Sequence, residues 1–236
     1  MDRSRGVGPF KYFVGISSLE EVATRKDRVC VLNILGGESS EVTPVSHAYS
    51  GGNVVFGTSP GRQGQKLKTP IGDVPVYNSV REGLDAGHRF NVGVVYLPPS
   101  GVRDGVAELV RVNPDLRKIV MVTEKVAVHD AREIRAMGQQ SGIDIFGANC
   151  LGVADSWNRV RIGGALGGDD PAESLIKGSV AIYSNSGNFT PPSRSTWRPP
   201  AGERPRWSRA ARMSTSTSPR RNSCSRSRTT GAARRR

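Results

Sequence analysis

Cysteine is scarce in this 236-residue chain, with only Cys30, Cys150 and Cys224, set far apart. They form neither a disulfide framework nor a metal-binding cluster, and such usage fits a reducing cytosol. Long apolar runs are missing as well; none approaches the roughly 20 residues that a membrane-spanning helix needs. The opening segment MDRSRGVGPFKYF has no long apolar core of the kind a secretory signal carries. Collagen, coiled-coil, membrane and small disulfide-stapled classes are excluded on these grounds. Negative charge is short in one place only. Residues 191–236 hold 13 Arg, no Lys and a single acid, Glu203, a net of +12, whereas residues 1–190 balance 21 basic against 20 acidic side chains. The same tail has no Val, Ile, Leu, Phe or Tyr. It lacks the apolar surface needed to offset the entropy of ordering and is expected to be disordered.

The first 190 residues hold 76 of the 85 residues of the hydrophobic class, enough for a real core. Short continuous apolar runs recur: VCVLNI (29–34), NVVFG (53–57), VGVVYL (92–97), KIVMVT (118–123), IDIFG (143–147) and SVAIYS (179–184). Runs of this length without alternation read as strands covered on both faces. Helical patterns lie between them. Ser18-Leu19-Glu20-Glu21 fits a capping box opening a short helix to about Asp27. Asn78 is placed to cap SVREGLDAG, Val102, Val106, Leu109 and Val110 fall on one helical face, and Ala131, Ile134 and Met137 make a shorter stripe ending at Gly138 and the Ser141-Gly142 turn. Strand and helix in alternation predict an α/β fold with a mostly parallel sheet.

Ligands of such sheets bind beyond the carboxyl ends of the strands, where turns and helix starts present N–H groups. After the first run comes Leu35-Gly36-Gly37-Glu38-Ser39-Ser40, a small-residue turn able to approach phosphate. After the second comes Thr58-Ser59-Pro60-Gly61-Arg62-Gln63-Gly64, which adds a cation suited to phosphate. Pro98-Pro99 and Thr123-Glu124 mark two further strand ends. Taken alone, a Gly-Gly turn after a strand is more often structural than ligand-binding, and Arg62 could equally be a solvated loop residue.

Their order, however, resembles that of the succinyl-CoA synthetase alpha subunit and, more broadly, the CoA-binding part of NDP-forming acyl-CoA synthetases. The carriers are TSPGRQG (58–64), DVPVYNSVREGL (73–84), VVYLPPS (94–100), VMVTEKVAVHD (120–130), FGANCLG (146–152) and SNSGNFT (184–190). The resemblance covers about residues 27–190. It implies an N-terminal extension over 1–26, a Rossmann-like CoA-binding domain over 27–151, and the start of a flavodoxin-like ligase domain over 152–190, ahead of the basic tail 191–236. It further implies that Leu35, Gly36, Gly37, Glu38, Arg62, Val122, Thr123 and Glu124 contact coenzyme A. Ser184, Ser186 and Gly187 would form a helix start facing a phosphoryl group. This chain has Asn33 and Ser39 where the family usually has Gly, and Arg62 where it has Lys. NTP and Mg would act only through a partner, an ATP-grasp-type beta subunit or domain.

The resemblance also exposes a gap. The family's reaction passes through a phosphorylated histidine in a Gly-His-Ala-Gly-type segment, and none of His47, His88 and His129 has that context. His129 reads as a capping or surface residue, and His47 and His88 as plain surface residues; the resemblance makes Cys150 structural or close to the CoA thiol. No catalytic nucleophile or metal site is assigned. The tail admits three readings: a disordered segment that neutralises nucleic-acid phosphates, a solvated terminus, or the product of a shifted reading frame. Its Arg-rich, Lys-free composition and the halt of the pattern after Thr190 favour the third, which makes the chain a truncated ligase subunit, inactive alone. The alternatives are a nucleic-acid-binding protein acting through the tail and a stand-alone CoA- or nucleotide-binding module.

Overall fold

A run that is apolar at every position suits a strand buried on both faces, and Val29–Leu32 (β1) is one, with all four residues buried. The computed structural model describes residues 14–164, 166–178, 180–182 and 207–210. After β1 come Gly37–Tyr49 (α1), Val54–Thr58 (β2), Lys66–Leu67 (β3), Val74–Tyr77 (β4) and Val80–Asp85 (α2). Val92–Val95 (β5), Val102–Val112 (α3), Lys118–Met121 (β6), Val128–Ser141 (α4) and Asp144–Phe146 (β7) complete the main body. One seven-stranded sheet has the order β3-β4-β2-β1-β5-β6-β7, with β3 antiparallel to β4 and every other pair parallel. Apart from the β3 edge, this is the doubly wound order of a Rossmann-like fold.

Side chains of β1 alternate between two cores, as the pleat requires. Cys30 and Leu32 join Phe56, Val106, Leu109, Ile119 and Ile134 beneath α2, α3 and α4. Val29 and Val31 join Val94, Val120 and Phe146 on the opposite face. That second core continues into a hairpin, Val153–Asp155 (β8) and Val160–Ile162 (β9), through Val153, Val160 and Ile162. The expected division after residue 151 therefore does not separate two cores: the hairpin's apolar side chains close the first one. Pro171–Ser174 (α5) follows, capped by Asp170, whose carboxylate accepts from the N–H groups of Ala172 and Glu173. Val180–Ile182 (β10) then pairs in parallel with Trp207–Ala210 (β11). Residues 207–210 of the tail form this second strand. Ser184, Ser186 and Gly187 lie outside the described residues.

Helix α1 escaped the pattern because the face it buries is polar: Ser39, Thr43, Ser46 and His47 are buried with Tyr49, and Pro44 interrupts its donors. Two helix starts also differ from expectation. Leu19–Glu21 is a single 3-10 turn rather than a helix to Asp27, held by the Glu21 carboxylate accepting from Ser17 N–H at 2.7 Å. The cap of α2 is Ser79, whose side chain accepts from Glu82 N–H, while the Glu82 carboxylate accepts from Asn78 N–H; the cap sits one residue later than expected. Helix α4 runs past Gly138 to Ser141 and stops at Gly142, whose φ of 68° is the left-handed closure that glycine permits.

His47 and His88 are not the surface residues expected. His88 Nε2 lies 3.0 Å from Tyr77 Oη, and its ring stacks on Phe56 at 5.4 Å. His47 is buried, and its Nδ1 accepts from Val54 N–H at 3.1 Å, which fastens the end of α1 to the start of β2. Burial pushes its pKa below the ordinary histidine value. The folded state therefore binds fewer protons than the unfolded chain, and the stability His47 contributes is present above about pH 6.5 and lost as pH falls below it. A His47→Asn variant, which keeps an acceptor but does not titrate, is expected to melt with a flatter dependence on pH between 7 and 5; an unchanged slope in thermal melts would refute this role.

Candidate functional site

In this strand order β1 stands where the winding reverses, between β2 and β5, and the crevice beyond its carboxyl end is where such folds bind ligands. The β1 end is built tightly. Asn33 has φ of 61°, a left-handed conformation that asparagine tolerates and β-branched residues do not. Its Nδ2 donates to the Tyr96 carbonyl at 3.1 Å, tying the first turn to the end of β5. Gly36 is required there, because a Cβ would stand 2.6 Å from Asn33 Nδ2. Ser39, buried in the first turn of α1, donates from Oγ to the Asn33 and Gly36 carbonyls. Asn33 and Ser39, the two departures from glycine, thus close the turn by hydrogen bonds.

Arg62 lies beside this turn. Its Nη1 donates to the Leu35 carbonyl at 3.4 Å, while Leu35 N–H donates to Ser59 Oγ at 3.2 Å. The loop itself is held by Gly61 N–H donating to Asn78 Oδ1 and by Asn78 Nδ2 donating to Gln63 Oε1, both at 2.9 Å. Gly37 opens a 13-residue helix, and a Cβ on it would meet nothing within 4 Å. The first-turn N–H groups of such a helix have no helical acceptors and favour an anion.

On the other wall, Thr123 Oγ1 donates to the Leu97 carbonyl at 2.7 Å, and the Thr123 carbonyl accepts from Asn149 N–H at 2.9 Å. The ends of β5, β6 and β7 are joined in this way. Between these loops and α1 lies a cleft of about 490 Å3, lined by Glu38, Tyr96, Leu97, Pro98, Pro99, Val122, Thr123, Glu124, Lys125, Asn149 and Leu151. That volume suits a small-molecule site. Four of the eight residues expected to contact a cofactor, Glu38, Val122, Thr123 and Glu124, line it, though Glu38 stands more than 80 positions from the other three in the chain. Leu35, Gly36 and Gly37 form the adjoining turn instead, with Arg62 beside it. Tyr96, Lys125 and Asn149 were missed; the signal lay in strand-end position and in loop chemistry, for Lys125 and Asn149 both take φ of 57°.

The electrostatics are mixed. Burial, and then the charge of Glu124, push the Glu38 carboxyl above its usual range. Two carboxylates on opposite walls suit hydroxyl and amine donors, while Arg62, Lys125 and the α1 start suit phosphate. No nucleophile is poised here. Cys150 is fully buried, with its sulfur against the backbone of Gly152. His129 is exposed on α4 beside Asp130 and Glu133. Among the described residues no group of three or more His, Cys, Asp and Glu is placed to hold a metal ion, and no helix is long and apolar enough to cross a membrane.

Asn33 offers a direct test of the turn. Asn33→Val puts a β-branched residue at positive φ and removes the bond to Tyr96, a combined cost of about 2–4 kcal/mol. Asn33→Gly loses only the bond, at about 1 kcal/mol. Urea denaturation should rank the variants in that order; equal losses would mean that the backbone conformation is not what selects Asn33.

Residues 26–125 match the CoA binding domain family. The chain is 29% identical over 170 residues to an ADP-forming sulfoacetate-CoA ligase subunit, SqwL, of an Acholeplasma species, covering 70% of this chain and 52% of that protein. It is 28% identical over 169 residues to alpha subunit 2 of the ADP-forming succinate–CoA ligase of Archaeoglobus fulgidus, covering 72% and 54% respectively. The chain therefore spans about half the length of the curated relatives it matches. Among solved structures, the ATP citrate lyase of Methanothrix soehngenii in complex with citrate and coenzyme A superposes with a TM-score of 0.62 at 15% identity, over 73% of this chain and 29% of that one. That likeness establishes the shared fold.

Proposed function

We propose, for a chain whose residues 26–125 match the CoA binding domain family and which is similar to ADP-forming acyl-CoA ligase subunits, that the cleft beyond β1, β5 and β6 binds coenzyme A. The full enzyme would form a thioester from a carboxylate and CoA at the expense of a nucleoside triphosphate, and this chain would supply the CoA site. The observation that carries the reading is the convergence of Glu38, Val122, Thr123 and Glu124 on one cleft next to Arg62. In this arrangement Arg62 and the start of α1 pair with the ligand's phosphates. Glu38 and Glu124 accept from hydroxyl or amine groups of its nucleoside end. Leu97, Pro98 and Val122 pack against its apolar parts. Phosphoryl transfer and nucleotide binding fall to groups this cleft does not contain, in keeping with an ATP-grasp-type beta partner, without which this chain would not turn over.

The family match favours this over a reading in which the Arg-rich tail acts on nucleic acid. Calorimetric titration of the whole chain with CoA should give saturable one-to-one binding. Thr123→Val, which removes the bond to Leu97 that joins two walls of the cleft, should weaken it by roughly tenfold, the equivalent of one hydrogen bond. Absence of binding at millimolar CoA would overturn the proposal.

A further inference from the structure

Next to the cleft, on the sheet face that carries α1 and the hairpin, lies a second and much smaller space of about 10 Å3. Ser46 of α1, Asn53 before β2, Tyr96 after β5 and Arg161 of β9 are among its lining residues. Three polar atoms there, Ser46 Oγ, Asn53 Oδ1 and Tyr96 Oη, are buried and have no hydrogen-bond partner within the protein. Ser46 and Asn53 are 4% and 3% exposed. Buried polar groups are almost always satisfied, so three orphans around one chamber point to a shared ligand.

The chemistry of the lining decides which. Asn53 Nδ2 donates to the Arg161 carbonyl at 3.3 Å, which fixes the amide and leaves Oδ1 as a pure acceptor. An anion cannot donate to it. A cation is opposed by the Arg161 guanidinium, itself buried and spending Nε and Nη1 on the Gly164 and Gly168 carbonyls. A species that donates to Asn53 Oδ1 and accepts from the two hydroxyls satisfies all three groups. The volume is close to the smallest that holds one water, about 10–15 Å3. We propose that this chamber is the site of one ordered water that joins Tyr96 to α1 and to the start of β2. Tyr96 also lines the cleft, so the water fastens one of its walls, whatever ligand the cleft takes.

A crystal structure of the whole chain, at a resolution that shows ordered solvent, should contain a single peak within hydrogen-bond distance of Asn53 Oδ1 and of at least one of the two hydroxyls. It should carry no anomalous signal in crystals soaked in bromide or in rubidium. A chamber without density, or one that takes up bromide or rubidium, overturns the proposal. In solution, water-deuteron relaxation dispersion should count one long-lived water fewer in Ser46→Val, whose added methyl groups take the water's place, than in the unaltered chain or in Ser46→Ala. An equal count in all three also overturns it.

Discussion

Lys118→Met is expected to destabilise the fold by about 3–5 kcal/mol, the cost of leaving a buried charge without its partner. Lys118 and Asp27 are 6% and 2% exposed, and Nζ stands 2.6 Å from Asp27 Oδ2. Nζ also donates to the Glu21 carbonyl at 3.0 Å, and Asp27 accepts from Asn91 Nδ2 at 3.0 Å and from Thr24 N–H at 2.7 Å. The pair thus joins the start of β6 to the turns that precede β1. Methionine matches the lysine stem in volume, so the loss would be electrostatic rather than a cavity. For a chain of this size such a loss lowers Tm by roughly 10 °C. The double variant Asp27→Leu/Lys118→Met removes both charges and should recover part of that loss. Urea denaturation of the parent and the two variants measures it; a single variant as stable as the parent would mean that water reaches Asp27.

The second large effect concerns the ligand. Arg62→Glu should weaken CoA binding by about 100-fold, since it removes a charge-assisted contact of about 1.5–3 kcal/mol and sets a like charge against phosphate. Arg62 is exposed, and its loop is held by Asn78 rather than by the guanidinium. Tm should therefore move by less than about 2 °C, the range of an ordinary surface change. Binding of the parent should weaken with added salt, and the variant should lose most of that dependence. Calorimetric titrations at two salt concentrations decide the matter. An unchanged affinity would place the phosphates away from Arg62 and leave the α1 start to hold them alone.

Much of the fold was legible because strands buried on both faces declare themselves in sequence. Strands β1, β5, β6 and β7 fall within short apolar runs and β2 overlaps one, whereas the interior strand β4 matches none of them; alternation with helices specified a parallel sheet. Helix α3 was equally legible, its stripe of Val102, Val106 and Leu109 being buried as expected. Helix α1 was not, because it buries serine, threonine and histidine, and its buried polar groups become favourable only against partners such as Val54 N–H. The hairpin β8–β9 was read as the start of another unit, since nothing in VAD or VRI tells which core will receive those side chains.

The candidate site divides in the same way. Its small-residue turn, Leu35–Glu38, and its cation, Arg62, stand out as local motifs, because small residues and a guanidinium carry their chemistry wherever the chain places them. The chain by itself also determined the break in composition after residue 190, where charge and apolar content change together. Tertiary structure alone decided that Glu38 faces Glu124 across a cleft, that Tyr96 serves both cleft and chamber, that His47 is buried, and that Lys118 meets Asp27. Each of these joins residues many positions apart. Local pattern records which face of an element is apolar, whereas burial, pKa and hydrogen-bond partnership depend on what another segment brings to that face.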